Sequence, residues 1–151
     1  MKETEAIYAK SINPVYQAAL ALGGVVVISL LAKLLHFTGL VDVPQRFPWM
    51  SAASFLLLFA LFNSVFSVTS ENLMKYWGRS IYCFVGLAAG AAGFAWLMSS
   101  LTMDEAGSYR WIYIVVAIGY LVFLSMMATL RKIVDFAQRE EWNQPRQRRK
   151  R

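Results

Sequence analysis

Four long stretches of the sequence contain no Asp, Glu, Lys or Arg, and this pattern restricts the fold more than any other feature. Each stretch has 20 to 24 residues, and together they make up more than half of the 151-residue chain. They cover residues 11–32, 47–70, 80–103 and 111–130. A helix of about 20 apolar residues is long enough to cross about 30 Å of hydrocarbon. The sequence therefore predicts an all-α integral membrane protein in which four transmembrane helices form a compact bundle.

Capping residues and helix breakers indicate where these helices begin and end. Asn13 followed by Pro14 is a typical helix start, because an Asn side chain caps free backbone N–H groups and proline fits the first helical position. Thr38 and Gly39 end the first helix, and Pro48 begins the second. The expected helices cover about 14–37, 48–69, 77–101 and 109–131. The chain then divides into an N-terminal segment (1–13), a transmembrane domain (14–131) and a basic tail (132–151).

The distribution of basic residues predicts the orientation in the membrane. With four spans both termini lie on one side, and all of the 15 Lys and Arg residues except Lys33, Arg46 and Arg110 belong to that side. Loops rich in Lys and Arg stay in the cytoplasm, so we expect both termini to be cytoplasmic. Trp49 and Trp111 are then expected at the outer interface. A compact sequence that shows no targeting extension is expected in the bacterial cytoplasmic (inner) membrane.

Glycine residues predict how the helices associate. Gly86, Gly90 and Gly93 fall on one face of the third helix and form an extended GxxxG motif. Small residues let two backbones approach closely, which drives helix association in lipid. Gly23 and Gly24 lie at a comparable depth in the first helix. We therefore expect helix 1 to pack on the glycine face of helix 3, unless a separate subunit occupies that face.

Few polar side chains lie within the spans. Lys33 is expected near the outer boundary, where its ammonium reaches water, and Asp42 in the next connection is placed to reach both Lys33 and His36. Asn63 lies deepest, and a hydrogen bond to a neighbouring helix is the simplest explanation for an amide at this depth. Such a bond contributes about 0.6 kcal/mol on average, so we expect replacement of Asn63 to be tolerated. A polar pathway would need the following residues: Lys33, Asn63, Ser64, Ser67, Tyr113 and Tyr120.

Residues that bind metals or catalyse reactions are scarce. His36 and Cys83 are the single His and the single Cys of the chain, and the sequence has no HxxxH or HExxH spacing. No acid and base residue can be placed together from the sequence. We therefore expect no enzymatic activity, no metal and no cofactor.

The end of the chain carries five positive charges and no acidic residue after Pro145. The basic residues are Arg146, Arg148, Arg149, Lys150 and Arg151. Such a cluster attracts anionic lipid by about 1 kcal/mol per basic residue near the surface. No aromatic residues are interleaved to stack bases, which argues against nucleic acid as the partner. Membrane lipid is the expected contact, with an acidic partner as the alternative.

Together these features favour a non-enzymatic membrane protein that acts by packing. We expect an accessory or assembly subunit that associates with other helices of an inner-membrane complex, or with copies of itself. The four spans contain no acidic residue that would couple a proton or a cation. The alternative is a small oligomeric transporter or channel, for which four spans with short loops are a suitable size.

Overall fold

The computed structural model describes residues 13–70 and 72–142, which form four α-helices and, within those ranges, no β-strand. The helices are α1 (Pro14–Phe37), α2 (Phe47–Ser67), α3 (Leu73–Ser99) and α4 (Tyr109–Trp142). All four are long and apolar enough to cross a membrane. The prediction of a multi-pass membrane protein with four spanning helices is therefore confirmed.

The helix ends follow the predicted caps in part. Asn13 Oδ1 accepts a hydrogen bond from the N–H of Val15 (3.1 Å), with Pro14 at the first helical position. α3 begins at Leu73 rather than near residue 77, because the basic and aromatic residues there favour headgroup depth without breaking a helix. α4 passes the predicted end near residue 131 and reaches Trp142, since the sequence has no Gly or Pro between residue 131 and Pro145.

The four helices alternate in direction, which defines two ends of the bundle. At the loop end the two connections 38–46 and 100–108 meet, and Gln45 Nε2 donates to the carbonyl of Ser99 (3.0 Å). At the tail end the start of α1, the end of α2 and the start of α3 come together. There the Arg131 guanidinium of α4 donates to the Ser70 carbonyl. The side of the membrane that each end faces remains a prediction from the basic residues.

α2 lies at the centre of the bundle. Half of its apolar window is buried, compared with 17–22% for the other three helices. α2 packs against all the others, whereas the backbone of α4 approaches α3 at few points and does not come close to that of α1 in the described chain. Small side chains such as Ala52, Ala60 and Ser64 lie buried on α2 and let its neighbours approach closely. The outer faces of α1, α3 and α4 are left to lipid or to partners.

The core consists of two adjoining clusters. In the half nearer the tail end, Phe84 and Tyr120 stack with their ring centroids 4.6 Å apart, and Phe59 packs beside both. In the half nearer the loop end, Trp49 is 2% exposed and lies inside the core, whereas Trp111 is 63% exposed. Central α2 directs the Trp49 side chain inward, where its Nε1 donates to Ser99 Oγ at the end of α3 (3.1 Å), and the position of both tryptophans at the outer interface stays a prediction.

The 100–108 connection folds as a tight turn held by local hydrogen bonds. Glu105 Oε2 accepts from the backbone N–H (2.8 Å) and the hydroxyl (2.9 Å) of Thr102. These bonds favour the ionised carboxylate and lower the pKa of Glu105 below its ordinary value. Asp104 and Arg110 form an exposed ion pair (3.1 Å) beside the turn. The turn brings the end of α3 directly to the start of α4.

Candidate functional site

Side chains from all four helices meet at one buried amide near the tail end. The amide nitrogen of Asn63 on α2 donates to Gln17 Oε1 on α1 (3.0 Å) and to Tyr76 Oη on α3 (3.2 Å). Its Oδ1 accepts from Tyr120 Oη on α4 (2.7 Å). Ser80, one turn beyond Tyr76 and fully buried, lies beside the two tyrosine hydroxyls. We call these five residues the Asn63 cluster.

The Asn63 cluster satisfies its central amide completely. Both amide hydrogens and the oxygen of Asn63 have partners on neighbouring helices, and the Asn63 residue is 0% exposed. Buried polar groups in hydrocarbon are costly unless they are paired in this way. Every member is an uncharged amide or hydroxyl. The cluster therefore holds the four helices in one arrangement, and it presents no free charged group to a solute.

The residues predicted for a polar pathway are mostly separated. Ser64 and Ser67 are buried, and each donates to a carbonyl of its own helix at 2.6 Å. Tyr113 lies nearer the loop end, edge-on to Trp49 with centroids 6.2 Å apart. Lys33 lies at the loop end itself. Of the six predicted residues, only Asn63 and Tyr120 are joined by a hydrogen bond between helices in the described chain; Ser67 bonds to the Ser64 carbonyl within α2.

A cavity of about 490 Å³ opens at the loop end between α1, the 42–45 connection, the start of α2 and the end of α3. Lys33, His36 and Ser29 line it from α1. Ser29 is 2% exposed, and its hydroxyl has no hydrogen-bond partner within residues 13–70 and 72–142. The Val43 N–H donates to His36 Nδ1 (3.4 Å), and Asp42 Oδ1 lies 3.9 Å from the same nitrogen. The sequence predicts that Asp42 lies close to Lys33 and His36, and the structure places it close to His36.

The glycine face of α3 is open. Gly86, Gly90 and Gly93 are all exposed. A Cβ placed on Gly86 or Gly93 would meet no atom within 4 Å, and one on Gly90 would meet only the side chain of Leu22, at 3.5 Å. The expectation that helix 1 packs along this whole face is therefore not met in the described chain.

α1 and α3 do pack together, but through alanines on a different side of α3. Ala91 and Ala95 are 0% exposed and share a core cluster with Val25 of α1. The buried face of α3 also carries the large side chains of Phe84 and Leu87. The bundle turns this face inward because its apolar side chains fill the core, and the glycines consequently lie to one side of it, on the outer surface.

The two glycines of α1 differ from each other. Gly24 lies directly against the ring of Phe55 on α2, where an added Cβ would overlap the ring. Gly23 is exposed, with nothing within 4 Å of a Cβ position. Close packing of α1 thus uses Gly24, and its contact is with α2.

Other predicted sites fall outside the described part of the chain or are not seen there. The basic residues Arg146, Arg148, Arg149, Lys150 and Arg151 lie outside it, so their contact with lipid stays a prediction. Within the described ranges, no group of three or more His, Cys, Asp or Glu side chains is placed to hold a metal ion.

Gln17 and Tyr76 were not among the predicted site residues. Gln17 is a lone amide one turn into α1, and Tyr76 precedes the expected start of helix 3 near residue 77. Their common signal is a polar side chain close to a helix end at the same depth as Asn63. That signal identifies a cluster only once the pairing of the helices is known.

Comparison with models of known protein families, with curated proteins and with solved structures gave no match.

Proposed function

We propose that the protein is a non-enzymatic accessory or assembly subunit that packs against other helices of a bacterial inner-membrane complex. The main support is the exposed glycine face of α3, which the other helices of the described chain leave largely uncovered. The basic tail is proposed to contact anionic lipid on the cytoplasmic side.

The glycine face has the shape of a helix-docking surface. Gly86, Gly90, Gly93 and Leu97 recur at i, i+4, i+7 and i+11, which places them along one line of the helix. Between Gly86 and Gly93 this line is about 10 Å long and carries no side chain. Tyr82 and Leu97, which are 82% and 70% exposed, flank it. A partner helix gains dispersion contacts along such a line, and these contacts drive association in lipid.

The Asn63 cluster supports this proposal over transport. Gln17, Asn63, Tyr76 and Tyr120 use their hydrogen-bonding groups on one another, so they stabilise the bundle. A stable bundle presents the outer face of α3 in a fixed shape, as a docking surface requires. A transporter or channel would instead need these groups to face a solute.

Substitution of the glycine face tests the proposal. Gly86→Leu and Gly93→Leu each place a bulky side chain on the docking line without touching the core, so both should release a bound partner. Gly119→Leu is the matched control, since Gly119 also lies in a spanning helix with nothing within 4 Å of a Cβ position. The tagged protein is purified from its native membrane in mild detergent, and co-purifying proteins are quantified by mass spectrometry at equal membrane abundance.

The expected result is a larger partner, present in stoichiometric amount, that the wild type and Gly119→Leu retain. Gly86→Leu and Gly93→Leu should both lose it. Retention of the partner by all the variants would contradict docking through α3. A homogeneous homo-oligomer with no other subunit would instead support the small transporter or channel.

A further inference from the structure

We infer that the cavity at the loop end is a binding site for a phosphate group, such as that of a phospholipid headgroup. The three donors that line it from α1 are the Lys33 ammonium, the His36 ring and the Ser29 hydroxyl. This site is separate from the glycine face and from the Asn63 cluster, and it does not depend on the proposed accessory role.

The position of these donors on α1 argues against the simpler explanation for Lys33, in which its side chain faces lipid and only extends to reach water. Ala21, Val25, Ser29 and Ala32 form the buried stripe of α1, at spacings of four and three residues. His36 continues this stripe by a further step of four, and Lys33 adjoins it. Lys33 and His36 are both exposed, and both line the cavity that forms where the helices separate.

Each donor has hydrogen-bonding capacity that the described chain leaves unused. The Ser29 hydroxyl is buried without a partner, which is a costly state unless a ligand or water completes it. A neutral imidazole that accepts at Nδ1, as His36 does from Val43, carries its hydrogen on Nε2 and can donate there. The Lys33 ammonium forms no hydrogen bond or ion pair with residues 13–70 or 72–142.

Phosphate is the ligand chemistry that fits this set. A lysine ammonium binds phosphate as a compact charge, and neutral N–H and O–H donors complete the oxygen shell. The one acidic side chain at the cavity, Asp42, is exposed and lies beside Nδ1 of His36. The remaining wall is largely apolar, which suits the glycerol and acyl part of a lipid. Its apolar residues are Ala32, Val43, Pro44, Phe47, Pro48 and Met98.

The test compares two lipids that differ only in the headgroup. Binding of dioctanoyl phosphatidylglycerol and of dioctanoylglycerol to the full-length protein in detergent is measured by titration calorimetry. We expect the phosphate-bearing lipid to bind and the other not to bind. Lys33→Gln should weaken binding about tenfold or more, and Lys33→Arg should restore it. Lys132→Gln, which changes an exposed lysine on the far part of α4, is the matched control and should retain wild-type affinity.

Two further measurements distinguish a phosphate site from a cation site, and a lipid ligand from a soluble one. Asp42→Asn should bind at least as tightly as the wild type, because it removes a negative charge near the phosphate. Inorganic phosphate that binds as tightly as the lipid would indicate a soluble phosphate compound as the ligand, whereas much weaker binding of inorganic phosphate would indicate a membrane lipid. Equal binding of the two lipids, or unchanged affinity in Lys33→Gln, would overturn the proposal. Weakening by Asp42→Asn as large as that by Lys33→Gln would also overturn it, since the site would then recognise a cation.

Discussion

Replacing Asn63 by Ala removes a side chain that hydrogen-bonds to all three neighbouring helices. Each interhelical hydrogen bond contributes about 0.6 kcal/mol on average, so three contribute about 2 kcal/mol, and the substitution also leaves the partners unpaired inside the bundle. The sequence alone predicts that replacement of Asn63 is tolerated, whereas the structure predicts a clear loss of stability. Ser54→Ala is the control, because exposed Ser54 bonds only to a carbonyl of its own helix.

Thermal unfolding in detergent checks this prediction. Asn63→Ala should lower the free energy of unfolding by about 2 kcal/mol, while Ser54→Ala should leave it nearly unchanged. Equal stability of the two variants would mean that the Asn63 cluster does not hold the helices together.

The site residues show which information a single sequence contains. Asn63 was identified because an amide deep in an apolar stretch needs a partner whatever the fold is. Gln17 and Tyr76 were not identified as its partners, because the pairing depends on how far each helix is shifted along its neighbour. Lys33 was placed correctly at the loop end by counting along the helix, but its place in the wall of the cavity required the packed bundle.

At the scale of the elements, α3 shows the same limit. Its glycines predict a surface for close packing, but spacing alone does not decide whether that surface faces the bundle or points outward. The large side chains of Phe84 and Leu87 decide it, since they fill the core and turn the glycines away. The extent of the helices was more predictable, because long uncharged stretches and the Asn13 cap are local features.

The turn between α3 and α4 makes a prediction about pH. Its hydrogen bonds from Thr102 lower the pKa of Glu105 in the folded protein. The stabilisation is thus present above the pKa of the unfolded chain and is lost as the pH falls through the lowered folded pKa. Glu105→Gln should be less stable than the wild type at pH 7, and the difference should shrink as the pH approaches 3.

Thermal unfolding of both proteins across this pH range provides the measurement. A difference in stability that stays constant, or that grows toward acid pH, would show that the charge of Glu105 does not stabilise the turn.

At the scale of the whole molecule, the alternating helices place both ends of the described chain at the tail end, and the basic residues predict that this end is cytoplasmic. In a Cys83→Ser background, Ser108→Cys lies in the loop-end turn and Gln138→Cys lies on the exposed last part of α4. An impermeant maleimide added to intact cells should label Ser108→Cys and leave Gln138→Cys unlabelled. The reverse pattern would overturn the orientation.

In the proposed function, the outer face of α3 contacts another protein in the membrane. Site-specific photo-crosslinking in native membranes tests it directly, with a benzophenone amino acid at Leu97, which shares the line of the three glycines and leaves them intact. Leu31 of α1, which is 53% exposed on another side of the bundle, is the matched control. We expect one discrete protein adduct from position 97 and none from position 31. Only lipid adducts at position 97, or the same protein adducts from both positions, would contradict it.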